Sequence, residues 1–492
     1  MHASPFEEFL STPEMLATFG RDAFVQDMLT FEAALARAQG AQGVIPVAAA
    51  AEICRHCRVE LFDTAGIVAA SGHAGSLAIP LVRQLTERVA AHDPQAARYV
   101  HWGSTSQDVI DTAMVLATRR ALALIDRDLQ MLVDNLFGWY ASHGAVPVLA
   151  RTLLQPAQVI SLGLKLVGWS APLVRARARL HAAAQNALQL QLGGAVGTLS
   201  VLGQHGPAVL ARVAGELGLR VPAGAWHTQR DEWVTLGTQI GILCGSLGKF
   251  AADLALMAQG EIGELSEPSD AGRGGSSAMP HKRNPVASMI ALAAAQRAPQ
   301  RVAALLGAMP QQHERGLGNW QAELAEWAGL LTSAHGAVKA LAQASAGLQI
   351  DAAQMRVNID RLHGLVSAEA LAMRLALTCG KAAAHHCVAG WSKTVVREQR
   401  HLRDVAAQAL QADPTLDPSL GAEELCALFD MDAAALPAVI AAQRQMVALQ
   451  TSWTASCTEP SNPTSPTNPT NPTNPTNPTS PASPTSPTSP TP

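Results

Sequence analysis

The chain has 492 residues, 48% of them hydrophobic but only 4% aromatic, and a net charge of −4. That length admits two or three domains or one long bundle. Apolar content that is mostly Ala, Leu and Val favours close-packed helices over sheet, which draws on β-branched and aromatic residues. The small net charge gives no long-range reason to bind nucleic acid or an anionic membrane. Seven scattered cysteines, an odd number, fit reduced thiols in a cytoplasmic protein.

The N-terminal stretch MHASPFEEFLSTPEM is acidic and lacks the basic, then apolar, pattern of a signal peptide. Cys54-Arg-His-Cys57 offers half of a zinc site. A structural zinc needs four ligands and no second pair follows, so the segment reads as a helix that carries two cysteines. His101-Trp-Gly-Ser104-Thr105-Ser106-Gln107-Asp108 gathers three hydroxyl residues behind a glycine. A helix starts at about Asp108, so one hydroxyl serves as its N-cap. The others, with the backbone amides, are suited to a carboxylate. Leu122, Ile125, Leu129, Leu132 and Leu136 then step by three and four, a helical stripe of four turns.

Gly193-Gly194-Ala-Val-Gly197-Thr198 lacks the Gly-Lys-Ser/Thr ending of a phosphate loop and reads as a break between helices, which removes nucleotide binding. The most apolar segment, 237–258, contains Lys249 and Asp253 and is expected to be a buried helix instead of a membrane span. Its stripe continues through Leu254, Met257, Ala258, Ile262 and Leu265. Turn residues cluster at 143–147, 193–197, 222–224 and 266–275. From Glu459 onward, proline at about every third position leaves an extended tail with nothing to bury. The resulting division is a helical N-terminal part (1–110), a long central bundle (111–350), a helical C-terminal part (351–455) and the Pro-rich tail (458–492).

One segment breaks the helical pattern, GGSSAMPHKRNP at 274–285. Asn284-Pro285 before an Ala-rich run reads as a helix start, with Asn284 as N-cap and Pro285 at the first helical position. That accounts for neither Gly272, Gly274, Gly275, Ser276 and Ser277 nor Lys282 and Arg283, cations set against the positive end of a helix at about 0.3–1 kcal/mol each. The arrangement makes sense if an anion sits at that terminus, held by free amides and Lys282 under a glycine-hinged lid.

Residues 275–285 resemble the signature of the fumarase/aspartase superfamily, G-S-S-x-M-P-x-K-x-N-P. HWGSTSQDVIDTA is similar to another of its segments, and ARTLLQPAQ to the one written G-R-T-H-x-Q-P-A in adenylosuccinate lyases. SGHAGSLAIPLVRQLT, GGAVGTL, QHERGLGNWQAELAEW, NIDRLHGLVSAEA and REQRHLRDV resemble the carboxymuconate cycloisomerases within that superfamily. The resemblance covers nearly everything before the tail. It implies an all-α fold with a long central bundle, capped by smaller helical domains. It implies a homotetramer whose active sites are shared between subunits.

The implied chemistry is β-elimination, or its reverse, through an aci-carboxylate, with a small polycarboxylate as substrate and no cofactor or metal. The resemblance assigns the base to Ser276. An ionised serine there draws on the cations and backbone dipoles around it, His281 and Lys282 included. Lys282 and Asn284 would hold substrate carboxylate, with Ser104, Thr105, Ser106, Thr152, Gln155, His281 and Arg283 as further contacts. Where several relatives carry histidine, this chain has Leu153. Leucine transfers no proton, so a leaving group that departs unprotonated is required. A lactone's carboxylate, with a pKa near ~4, is one. The implied reaction is the interconversion of 3-carboxy-cis,cis-muconate and 4-carboxymuconolactone. The alternatives are adenylosuccinate lyase-like or other superfamily lyase chemistry, a related cycloisomerase acting on a different polycarboxylate, and a non-catalytic scaffold of the same fold. Glu314 partners the missing histidine in relatives and its role here is open. His101 either binds substrate, shuttles the proton, or packs beside Trp102.

Overall fold

A computed structural model describes residues 4–269 and 274–458; Gly272 and the Pro-rich tail lie outside them. Five long helices form the centre: Ser106–His143, Leu162–Ala187, Asp231–Met257, Val286–Ala308 and Asn319–Ala346. Their apolar stripes make one core, in which Ile125, Leu129, Leu132, Leu136, Leu243, Leu247 and Leu331 are buried. Shorter helices over residues 5–90 extend that core. A second, smaller core around Leu371, Leu375, Val395 and Leu402 belongs to the C-terminal helices. The last helix, Met431–Thr458, returns to the bundle, where Trp453 Nε1 donates to Asp134 at 2.9 Å.

The direction of each helix decides where the candidate residues go. Along Ser106–His143 and Asn319–Ala346, Trp320 bonds Asp111, Trp327 bonds Thr118, His335 bonds Asp128 and Ser345 bonds Asn135. These two helices are parallel. Asp231–Met257 runs with them: Arg230 before its start pairs with Asp111 and Glu323, and Leu265 beyond its end pairs with Ile350, just beyond the end of Asn319–Ala346. Val286–Ala308 runs the other way: Gly237, Gly241 and Gly248 face Leu305, Val302 and Ala295 in descending order. Leu162–Ala187 is also reversed, with Trp169 donating to Asp253 and Arg177 pairing with Asp126. Glycine at 237, 241 and 248 is what allows the close approach, because a Cβ there would stand 2.5–2.8 Å from the neighbouring side chain.

Two details depart from the sequence expectations. The Leu254–Leu265 stripe is not one helix. The helix ends at Met257, Gly263 turns the chain at φ 61°, and Leu265 enters a two-residue ladder with Ile350. The fold also contains a true hairpin, Pro147–Thr152 against Gln155–Ser161, between the first two bundle helices. The apolar helix Asp231–Met257 is long and apolar enough by composition to cross a membrane, yet half of that window is buried in the bundle. Lys249 and Asp253 pair on its surface.

Candidate active site

At the end of the bundle where Ser106–His143 begins, Thr105 is the N-cap and Asp108 the organising residue. The fully buried Asp108 carboxylate accepts from the amides of Thr105 (3.1 Å), Gly193 (3.0 Å) and Gly194 (2.9 Å), and from Ser104 Oγ at 3.4 Å. His227 Nε2 adds a contact at 2.7 Å. One carboxylate thus ties the hydroxyl cluster to the glycine loop. Gly194 has φ 69°, and a Cβ on it would lie 2.9 Å from the Gly103 carbonyl oxygen, so only glycine fits without strain. The loop that resembled a phosphate cradle is a docking piece for residues 103–108.

Arg315 closes this end. Its Nη2 donates to the carbonyls of Gly194 (3.1 Å) and Ala195 (3.3 Å), while its buried Nε has no partner among the described residues. Burial lowers its pKa, opposed by Asp108 and Asp111. A guanidinium with an unused donor at the same end as the half-buried hydroxyls is equipped for a carboxylate. Sequence reasoning passed over Arg315 for the adjacent Glu314, which is exposed. Below it, Arg230 is buried between Asp111 and Glu323.

His101 sits in the left-handed region at φ 58°, with Nδ1 2.6 Å from the buried Glu32 carboxylate. Burial lowers its pKa, but the Glu32 charge and hydrogen bond outweigh burial and the net shift is upward. Glu32 lies 69 residues away, out of reach of any motif search.

The remaining candidates lie at the opposite end. Thr152 and Gln155 flank a two-residue hairpin turn of Leu153 and Leu154, both at positive φ and 96% and 73% exposed. Neighbouring Arg151 is committed to the buried Glu264, at 3.0 and 2.7 Å. In the 274–285 loop, Ser276 Oγ accepts from the amides of Ala278 (3.3 Å) and Met279 (3.0 Å). Ser277, His281, Lys282 and Arg283 are exposed, and Asn284 is half-buried with its amide on the Gly274 carbonyl.

The helix start after this loop overturns one expectation. Asn284 is not the N-cap. The helix begins at Val286 behind Pro285, and Glu267 takes the amides of Ala287 and Ser288, both at 2.9 Å, and the Ser288 hydroxyl at 2.8 Å. The anion at the helix N-terminus belongs to the chain itself. The amides of Ala287 and Ser288 are therefore not free for substrate.

The single chain thus divides the candidates. His101, Ser104, Thr105, Ser106, Glu314 and Arg315 share one end, and Thr152, Gln155, Ser276, His281, Lys282, Arg283 and Asn284 the other. Between them lies a bundle whose 27-residue helix Asp231–Met257 alone spans about 40 Å.

A long helical bundle that carries this loop and this hydroxyl cluster at its two ends is the architecture of a helical lyase. Residues 8–299 match the family model for lyases, and the chain belongs to that family, the fumarase/aspartase superfamily. The chain is 45% identical to the 3-carboxy-cis,cis-muconate cycloisomerase of Bradyrhizobium diazoefficiens, over 86% of this chain and 92% of that protein. It is likewise 45% identical to the 3-carboxy-cis,cis-muconate cycloisomerase of Pseudomonas aeruginosa, with the same coverage. Among solved structures, the 3-carboxy-cis,cis-muconate lactonizing enzyme of Pseudomonas putida matches with TM-score 0.85 and 40% identity, over 92% of this chain and all of that one.

Proposed function

We propose that the protein is a cytoplasmic, cofactor-free cycloisomerase that interconverts 3-carboxy-cis,cis-muconate and 4-carboxymuconolactone, and that it works as an oligomer. The observation that carries the chemistry is the pair of amides on Ser276 Oγ. Two fixed N–H donors stabilise an alkoxide far more than a neutral hydroxyl, which lowers the serine's proton affinity. The Ser276 alkoxide takes the proton from the carbon next to a carboxylate. The C–H electron pair moves into that carboxylate to give the aci form. Lys282 and Asn284 meet the added charge. The pair then returns to make the carbon–carbon double bond as the lactone C–O bond breaks, and its electrons leave on a carboxylate oxygen. Lactonisation is the reverse.

Leu153 supports this over amine or hydroxide elimination, because a carboxylate leaves without a proton. The oligomer is supported by the split of the candidates over about 40 Å, a gap no loop in one chain closes. Exposed Ile242, Met289 and Leu306 on the bundle, with Leu153 and Leu154 at the hairpin tip, give a second copy apolar surface to cover. In that assembly Ser104, Thr105, Ser106, His101 and Arg315 of one subunit face Ser276, Lys282, Thr152 and Gln155 of others. The test is to incubate purified protein with 3-carboxymuconate and follow loss of the diene absorbance. Turnover is expected in the parent and near-complete loss in Ser276→Ala. Equal activity in both removes the serine from the mechanism, and turnover of adenylosuccinate in its place assigns the alternative reaction.

A further inference from the structure

The N-terminal helices carry a cluster of ligand atoms that the proposed chemistry does not use. Glu52 and His56 stand one turn apart on the helix Val47–His56, with Glu52 Oε1 3.0 Å from His56 Nε2. His92, two residues beyond the helix Ala78–Ala90, brings its ring to 4.7 Å from that of His56 at an interplanar angle of 48°. One ligand atom from each of the three lies within 4.8 Å of the others. A metal with bonds of about 2.0–2.2 Å and tetrahedral angles sets neighbouring ligand atoms roughly 3.3–3.5 Å apart, so small side-chain rotations suffice.

One ligand is already oriented by a backbone contact. His92 Nδ1 lies 3.1 Å from the Arg88 carbonyl oxygen. A carbonyl only accepts, so Nδ1 carries the proton and Nε2 keeps its lone pair, the orienting contact a metal-binding histidine makes. Arg55 pairs with the other oxygen of Glu52, so the Oε1 that meets His56 Nε2 carries no cation. Glu52 and His56 are buried while His92 is exposed, which leaves the fourth position open to solvent.

A second cluster shows what the first is not. Glu14, Asp128 and His335 also converge, but Lys339 pairs with Glu14, Arg127 lies on Asp128 at 2.7 and 2.9 Å, and both His335 nitrogens are engaged, by Thr12 and Asp128. Its charge is already balanced by fixed side-chain cations. The first cluster has one such cation, on the oxygen a metal does not need.

We propose that Glu52, His56 and His92 form a site for a divalent first-row transition metal, zinc being the ion their two imidazoles and one carboxylate suit best, and that the ion ties the helix Val47–His56 to the end of Ala78–Ala90. The nearby cysteines take no part. Cys57 Sγ donates to the Ile53 carbonyl, while Cys54 Sγ donates to the Ala33 carbonyl and accepts from Arg37.

Full-length, tag-free protein treated with chelator and titrated calorimetrically with Zn²⁺ tests this. One saturable ion per chain is expected in the parent and in Cys54→Ser, with loss of that ion in His56→Ala and in His92→Ala. Replacing zinc by Co²⁺ should give visible d–d bands without a thiolate charge-transfer band. His92 is exposed, so its variant should keep the parent circular dichroism and turnover, which separates metal loss from misfolding. No saturable ion in the parent, unchanged stoichiometry in the His92 variant, or a thiolate band would each overturn the assignment.

Discussion

If each active site takes Ser276 from one subunit and Arg315 from another, two dead variants should rescue each other. Ser276→Ala removes the proposed base at one end of the bundle, and Arg315→Ala removes the guanidinium at the other. Each alone is expected to lose activity by about 10²–10⁴-fold, the range for a positioned acid–base or anion-binding group. In a random one-to-one hybrid, a site is intact only when its serine donor is an Arg315→Ala chain and its arginine donor a Ser276→Ala chain. Each condition holds for half the subunits, so about a quarter of parent activity should return. The 27-residue helix between the two ends, about 40 Å long, sets the alternative: were both groups from one chain, every site would contain a lesion and nothing would return. The assay is diene absorbance on hybrids co-expressed with two different tags and isolated through both. Hybrids that contain both chains and remain as inactive as either variant would refute the reasoning.

Other outcomes follow from the same contacts. His101 has a raised pKa in the folded protein, so its paired charge contributes stability in full below about 6.5, the unfolded value, and loses it as pH rises through the folded one. Glu32→Gln leaves only the Asp108 charge against burial. The alkaline limb of kcat/KM should then move to lower pH and the stability slope above about pH 6.5 should vanish; unchanged profiles would show that His101 is not poised by Glu32. Gly194→Ala forces a Cβ into a left-handed residue 2.9 Å from a carbonyl oxygen and should cost about 1–3 kcal/mol in chemical denaturation, with turnover falling too. Glu267→Ala strips the helix at Val286 of its internal anion and should cost about 1.5–3 kcal/mol. If added carboxylates restored its activity, the amides of that helix start would be competent anion sites after all.

The sequence alone determined the parts that local chemistry dictates. Helical periodicity at Leu122–Leu136 and the turn residues between stripes were legible because a residue's place on a helix depends only on its neighbours three and four away. The family signature marked Ser276 and Lys282 because a Gly-rich, cationic break in a helical chain has few other uses. What the sequence did not contain was pairing over distance. Glu32 behind His101, Asp108 gripping Gly193 and Gly194, and Arg315 on the same loop are joined across 69 to 121 residues, and no periodicity reports such contacts. The helix start at Val286 shows the limit sharply. Asn284-Pro285 satisfies every local rule for a cap, yet Glu267, brought in by the turn after Met257, offers a full negative charge where an amide side chain offers a dipole. Only the fold could decide that competition. It also decided, through antiparallel helices about 40 Å long, that the two halves of the candidate site cannot meet inside one chain.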